Sequence, residues 1–187
     1  MSDPREKGII DFLLAEIEPV FDFYSGEKSY PASARLHDGM YLPCVAFKPA
    51  SRLVDHAIRK FEEAKDGTAR ITYREMVHLQ CCIHNMISPH NVEIVTRSPY
   101  ALSAQHLEIL HSAFEALQLD PVGNYLPFVA EMVDGKRFNF YFVPETQFLD
   151  IPEGYDATQI VGINPNRTLP DKRYGHKLTF ECYLSSL

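Results

Sequence analysis

Residues 125–143, YLPFVAEMVDGKRFNFYFV, carry the strongest structural signal in the chain. Phe138, Phe140 and Phe142 alternate with Asn and Tyr, and Asp134-Gly135 divides the stretch into two halves. Alternation places successive side chains on opposite faces of a strand, and an Asp-Gly pair readily adopts the positive φ angles of a tight hairpin turn. The stretch therefore predicts a β-hairpin with one buried and one solvent-facing side.

A second Asp-Gly pair, Asp38-Gly39, predicts another tight turn, which joins two short strands within residues 34–47. Three further strands are predicted from short runs rich in β-branched, aromatic and alternating residues, at positions 92–96, 158–163 and 177–184. Because alternation leaves one face of each strand wet, the pattern favours an antiparallel sheet.

The octapeptide GMYLPCVA that starts at Gly39 recurs as GNYLPFVA at Gly123, with six of the eight positions identical. The sequences that flank the two copies differ, so we interpret the similarity as shared strand chemistry rather than as a duplicated unit. Each copy contains a proline, Pro43 or Pro127, which has no N–H group to donate to a ladder. We therefore expect each proline to lie near a sheet edge or at a bulge.

Helices are predicted mainly in the first two thirds of the chain. Asp3, Pro4 and Glu6 form a helix start, with an N-cap acceptor, a proline in the first turn and a capping-box acid. This helix is expected over residues 4–19, with a buried face made of the apolar residues Ile10, Leu13, Leu14, Ile17 and Phe21. Similar signals predict helices at positions 51–65, 72–87 and 103–119, although residues 72–87 would also suit a strand.

Together these elements predict a single α+β domain over residues 1–187. We expect a largely antiparallel sheet with helices packed on one face, helix-rich in the first two thirds of the chain and β-rich in the C-terminal third. The composition agrees with one globular domain, because 45% of the residues are hydrophobic and 23% are charged. A chain of this length buries roughly 70% of its unfolded surface without help from disulfides or metals.

Charge and missing motifs argue against several classes of function. The chain has 18 basic and 25 acidic residues, and this formal net charge of −7 argues against nucleic-acid binding. Its apolar runs are far shorter than the ~20 residues of a membrane-spanning helix, and residues 1–7 resemble no signal peptide. The four cysteines form no disulfide pattern, so we expect reduced thiols in a cytoplasmic protein. No phosphate-binding loop is found, and no cofactor is predicted.

The most promising binding segment is the loop at residues 164–176, NPNRTLPDKRYGH. Long loops between strands are often functional, and Arg and Tyr are enriched in interface hot spots, although a plain exposed loop would have the same composition. We therefore expect a non-catalytic module that binds a protein partner or a small ligand through this loop and the adjacent strands. The candidate contacts are the polar and aromatic residues of the loop: Asn166, Arg167, Lys172, Arg173, Tyr174 and His176.

The alternative hypothesis is a thiol- or metal-dependent enzyme centred on His78, Cys82 and His84. On a helix His78 and Cys82 are one turn apart, whereas on a strand all three side chains share one face. A buried cysteine that only packs in the core is the simpler interpretation, because free cysteines are among the most buried residues. A third class, a subunit of a homo-oligomer, would need only an exposed apolar strand face.

Other titratable groups are better explained by structural roles. His37 and Asp38 resemble an acid/base pair, but Asp38 belongs to the predicted Asp38-Gly39 turn, where aspartate is favoured for backbone reasons. His106 and His111 are five positions apart on a predicted helix and do not share a face. A further group of acids falls in a loop rich in Pro and Gly and matches no calcium-binding pattern: Glu145, Asp150, Glu153 and Asp156.

Overall fold

The computed structural model describes residues 4–23, 26–50, 85–119, 125–165, 174–185 and 187. Two α-helices and nine strands have their bounds within these residues. In chain order they are α1 (Pro4–Glu16), β1 (Val20–Phe21), β2 (Lys28–Leu36), β3 (Tyr41–Pro49), β4 (Met86–Ile87), β5 (Val92–Arg97), α2 (Ala104–Ala116), β6 (Leu126–Met132), β7 (Arg137–Phe142), β8 (Ile160–Pro165) and β9 (Phe180–Leu184). The strands form two separate sheets.

The larger sheet is mixed. Its strand order is β1-β2-β3-β9-β4, and β5 pairs with β2 beyond the short β1. The pairs that involve β2 are antiparallel, whereas β9 runs parallel to both β3 and β4. Helix α1 packs against β5, and its Leu13 lies in a buried cluster with Phe47 and Cys182 of the sheet. The C-terminal strand β9 therefore lies inside this sheet, next to β3.

The smaller sheet has the order β7-β6-β8 and is antiparallel throughout. Its buried face carries the alternating phenylalanines of β7, and Phe140 stacks on Phe128 with a ring-centroid distance of 5.4 Å. Helix α2 covers this face, and its Leu110 and Phe114 are fully buried there. Two hydrophobic clusters result, one for each sheet.

An extended segment at residues 147–151 connects the two sheets. Phe148 bridges to Ala101 on one side, and Leu149 bridges to His176 on the other. The segment also receives backbone hydrogen bonds from Leu102 and Lys177. These contacts hold the segment before β9 and the segment before α2 beside the loop that follows β7.

Several local predictions are confirmed. The Asp-Gly pairs at 38–39 and 134–135 form the predicted hairpin turns, and Gly39 and Gly135 have φ angles of +86° and +82°. The helix predicted at residues 103–119 is α2, and the Ser103 hydroxyl accepts a hydrogen bond from the backbone N–H of His106, as an N-cap should. The strands predicted at 92–96, 158–163 and 177–184 correspond to β5, β8 and β9.

The first helix departs from its prediction in two ways. It ends at Glu16, before Pro19, so Phe21 lies in β1 and is 55% exposed. Leu14, which was assigned to the buried face, is 61% exposed. Glu6 is buried, and its carboxylate accepts a hydrogen bond from the backbone N–H of Ser185 at 3.1 Å, so this acid joins the helix to the end of β9.

The predicted fold class is wrong. The described residues are rich in strands and form two sheets, and their first third contains the two longest strands, β2 and β3, rather than mainly helices. Strand β2 is buried at six consecutive positions, so it lacks the alternation that marks a half-buried strand. The predicted helix at 51–65 and most of that at 72–87 lie outside the described residues, and Met86–Ile87 at the end of the latter forms strand β4.

Both proline-containing octapeptides contribute to central strands, through residues 41–46 in β3 and residues 126–130 in β6. Pro43 in β3 lies where the register with β2 shifts, between the pairs Ala32↔Val45 and Ala34↔Leu42, so the predicted bulge is confirmed there. The edge prediction is wrong for Pro127, because β6 is the central strand of the smaller sheet.

Candidate ligand-binding cleft

A cleft of about 420 Å³ lies where the two sheets meet. One wall comes from the ends of β3 and β9 in the larger sheet. A second wall comes from the turn at residues 143–148 after β7. The segment at residues 176–179 before β9 also lines the cleft, together with Asp22 and Asn85. A concave site of this size is typical of small-molecule binding, and it is bordered by several polar side chains.

An ion pair lies in the wall of the cleft. The Nζ of Lys48 is 2.5 Å from Oε1 of Glu181, and the Tyr183 hydroxyl donates to Oε2 of the same carboxylate at 2.9 Å. Lys48 lies opposite Tyr183 in the parallel β3–β9 pair, and Glu181 lies two residues earlier on the same face of β9. The side chains of Lys48 and Glu181 are only 17% and 16% exposed, so water screens this pair less than a surface pair.

A second cation, Lys177, is held at the edge of the cleft. Its Nζ is 2.7 Å from Oδ1 of Asp150 and 4.7 Å from the centroid of the Tyr100 ring. The hydrogen bond to Asp150 raises the pKa of Lys177, with a smaller opposing contribution from desolvation. Lys177 is therefore a fixed positive charge at neutral pH.

Buried polar contacts hold the turn of residues 143–148 in place. The Ser29 hydroxyl donates to Oε1 of Gln147 at 3.1 Å, and both side chains are buried. Within the turn, the backbone N–H of Thr146 donates to the carbonyl oxygen of Val143 at 2.9 Å. Since buried polar groups are costly to leave unpaired, these bonds keep the wall of the cleft in one conformation.

Two candidate residues of the predicted binding loop, Tyr174 and His176, lie in different surroundings: Tyr174 packs on the smaller sheet, and His176 lies at the cleft. The backbone N–H of Tyr174 donates to the carbonyl oxygen of Asn139 in β7 at 2.8 Å. The ring of Tyr174 packs on Phe138 and Phe140, with ring-centroid distances of 5.9 and 5.6 Å. His176 is exposed, lines the cleft and packs edge-on to Tyr141 at 5.8 Å. Tyr174 thus holds the end of the loop against the small sheet, whereas His176 faces the cleft.

The other candidate contacts lie outside the described residues: Asn166, Arg167, Lys172 and Arg173. Their assignment to a binding site stays a prediction. The loop reaches the cleft at its C-terminal end, because Gly175 and His176 connect it to the lining segment at 176–179. At Gly175 an added Cβ would come within 2.5 Å of the Tyr141 hydroxyl oxygen, so the close approach of the chain to Tyr141 favours glycine there.

The alternative site at His78, Cys82 and His84 also lies outside the described residues. Burial raises the pKa of the Cys44 and Cys182 thiols to about 12, so both are protonated at neutral pH. In the part of the chain that the structure describes, no group of three or more His, Cys, Asp or Glu side chains is placed to hold a metal ion. Because they are protonated, the thiols of Cys44 and Cys182 do not supply a nucleophile.

The remaining titratable candidates have structural roles. Oδ1 of Asp38 accepts the backbone N–H of Met40 at 2.9 Å and so stabilises the turn. Asp156 caps the short 3-10 helix Ala157–Gln159, and Asp150 pairs with Lys177. Nε2 of His111 lies 3.3 Å from the carbonyl oxygen of Pro144. Two of the four acids predicted in this loop, Asp150 and Asp156, thus have separate structural roles.

Lys48 and Glu181 were missed by sequence reasoning. The only local signal is a charged residue within each of two otherwise apolar stretches, VAFKP and TFECYL. Their separation of 133 positions means that only the parallel pairing of β3 with β9 brings them together.

Comparisons of the chain with protein-family models, with curated proteins and with solved structures give no match. Among the described residues, no helix has the length and apolar character needed to cross a membrane.

Proposed function

We propose that this protein is a non-catalytic, cytoplasmic binding module and that the cleft between its two sheets binds a small polar ligand. The observation that carries the proposal is the Lys48–Glu181 pair, whose two side chains are largely buried yet line an open cleft of about 420 Å³. The desolvation cost of a largely buried ion pair can exceed its Coulomb attraction unless further polar contacts complete it, and Tyr183 completes only the Glu181 side. A bound polar ligand would supply such contacts.

The charges along the lining indicate the class of ligand. Lys48 and Lys177 provide two positive groups, while Asp22, Glu145 and Glu181 provide three negative groups. A lining of mixed sign favours a ligand that itself carries both signs, because its ammonium and carboxylate groups can join the ion pairs Lys48–Glu181 and Lys177–Asp150. We therefore propose a small zwitterion, of the size of an amino acid or a dipeptide, as the ligand.

The predicted binding loop takes part in this proposal. His176 would contact the ligand from the edge of the cleft. The basic and amide residues of the loop stay proposed contacts on the strength of their chemistry alone: Asn166, Arg167, Lys172 and Arg173. Tyr174 would contribute by holding the loop against β7 rather than by touching the ligand. This role differs from the direct contact that the sequence predicted for it.

The proposal is tested with a panel of free amino acids and dipeptides, by thermal shift and then by calorimetric titration. The double variant Lys48→Met/Glu181→Gln removes both charges while it keeps the side-chain volumes similar. We expect it to weaken binding of any stabilising compound about tenfold, the loss of one good charged contact. The matched control is Lys136→Met/Asp134→Asn, an exposed pair in the β6–β7 turn with a 3.8 Å separation. A panel without a single binder, or equal losses in the two variants, would refute the proposal.

A further inference from the structure

A second groove, between β1 and α2, has an apolar floor. Its volume is about 420 Å³, and the apolar lining comes from Val20, Phe21, Ala104 and Leu107. Val20 is buried in the core, but the neighbouring Phe21 is 55% exposed. A large aromatic side chain that lies exposed beside an apolar depression is a feature of binding surfaces.

The rim of this groove is acidic. Glu108 and Glu115 line it from α2; they are seven positions apart and so lie two turns apart on the same side of the helix. Glu18, just before β1, lies at the start of α2, where its carboxylate accepts a hydrogen bond from the backbone N–H of Ala104 at 3.4 Å. Among the residues that the structure describes, the lining contains no Lys or Arg, and the sequence of α2 contains none either. The rim therefore produces a negative potential over an apolar floor.

The sequence around α2 extends this polarity. Of the 18 basic residues in the chain, only Lys136 and Arg137 fall within residues 98–166, against nine acidic residues. Both basic residues lie at the far hairpin and are paired there, Lys136 with Asp134 and Arg137 with Glu131. No neighbouring lysine or arginine along this segment thus offsets the acids of the rim.

We propose that this groove is a docking surface for a cationic segment of another protein, one that carries at least one aliphatic or aromatic residue. The apolar residue would pack on Phe21 and Leu107, and Lys or Arg side chains of the partner would pair with Glu108 and Glu115. Charge complementarity selects this occupant. A second copy of this chain carries a net charge of −7, and an anionic membrane or nucleic acid carries the same sign as the rim, so all of these are repelled.

The surface is distinct from the proposed ligand cleft. The two share no lining residue, since Asp22 borders the cleft while Val20 and Phe21 line the groove. Variants of the groove and variants of the cleft therefore separate the two proposals. The inference does not depend on the cleft binding a ligand.

The test uses a fluorescein-labelled peptide of alternating leucine and lysine residues, and fluorescence anisotropy with the full chain. Two comparison peptides replace leucine by serine or lysine by glutamate. We expect the leucine–lysine peptide to bind most tightly, and Phe21→Ser to weaken its binding about tenfold, as for an aromatic hot spot. Glu108→Gln/Glu115→Gln should weaken it about three- to tenfold, with a lower sensitivity to salt.

Matched controls separate groove binding from general attraction to an acidic protein. Leu14→Ser removes an apolar side chain that is 61% exposed on α1, and Glu93→Gln/Glu153→Gln removes two exposed acids elsewhere. Both controls should change the affinity less than twofold. Ser112→Arg, at an exposed position in the groove, should abolish binding without a loss of thermal stability. If the controls weaken binding as much as the groove variants do, or if the serine–lysine peptide binds equally well, the proposal is wrong.

Discussion

The hydroxyl of Ser29 donates a hydrogen bond of 3.1 Å to the side-chain oxygen of Gln147, across 118 positions of the sequence. Ser29 belongs to β2 of the larger sheet, and Gln147 follows β7 of the smaller one. Both side chains are buried. This bond is thus a direct polar link between the two halves of the molecule and a support for one wall of the cleft.

Replacing Gln147 should therefore destabilise the protein. Gln147→Leu leaves the buried Ser29 hydroxyl without this acceptor, and we expect a loss of about 1–3 kcal/mol in the free energy of unfolding, measured in urea. The double variant Ser29→Ala/Gln147→Leu removes both polar groups and should recover much of that loss. If the double variant loses as much unfolding free energy as the two single variants lose together, the bond does not couple the two positions.

The Lys48–Glu181 pair should behave in a similar way at the other wall. Lys48→Met leaves a largely buried carboxylate without its cation, and we expect a loss of about 1–3 kcal/mol in unfolding free energy. Glu181→Gln on the Lys48→Met background should restore part of it, because the unpaired charge is removed. Equal stability of Lys48→Met and the unmodified chain in urea would contradict the pair as the structure describes it.

The free energy of unfolding should fall in mild acid because helix α2 contains two partly buried histidines, His106 and His111. Burial lowers the pKa of His106 and of His111 below the ordinary value of 6.5. The unfolded chain then binds more protons than the folded chain as the pH drops, so the free energy of unfolding decreases once the pH falls below about 6.5. Urea titrations at several pH values between neutral and mildly acidic measure this slope.

His106 supplies a variant for the acid prediction. Its Nδ1 is buried and has no hydrogen-bond partner among the described residues. His106→Leu should reduce the pH dependence and should not lower the stability at neutral pH, since it removes an unsatisfied polar atom. His176→Gln, at an exposed position, is the matched control. An unchanged slope in His106→Leu would rule out this histidine as a source of the acid sensitivity.

Thiol labelling tests the placement of the described cysteines. Cys44 and Cys182 are buried, and their pKa values are raised to about 12 by burial. In a Cys81→Ser/Cys82→Ser variant, both remaining thiols should react with a disulfide reagent only at the rate of unfolding. Fast labelling of this variant in native buffer would contradict the burial. In the unmodified chain, rapid and selective labelling of Cys82 would favour the alternative hypothesis of a thiol-dependent enzyme.

Local chemistry explains the elements that could be predicted. The Asp-Gly pairs at 38–39 and 134–135 specify turns through backbone geometry, and Ser103 specifies a helix start through one short hydrogen bond. The alternating phenylalanines of β7 identify a half-buried strand. Each of these signals acts over a few residues, so it is present in the sequence itself.

The failures have a common cause in long-range pairing. Strand β2 is buried on both faces and has no alternation, so its length was underestimated. Phe21 was assigned to a helix face because its spacing fits, but the helix ends at Glu16 and leaves this ring exposed beside α2. The packing of Tyr174 on Phe138 and Phe140 likewise depends on pairing across the sheet and has no local signal, while its proposed part in binding stays a prediction.

The sequence by itself determined the hairpins, the capped helix α2 and the acidic segment at 98–166, because turns, caps and charge depend on residue type and short spacing. Only the tertiary structure decided that β9 inserts in parallel beside β3, that the strands divide into two sheets, and that Lys48 meets Glu181 in a cleft between them. The physical reason is that a parallel pair joins residues far apart in the chain, and the free energy that selects it comes from burial summed over many contacts rather than from any local pattern.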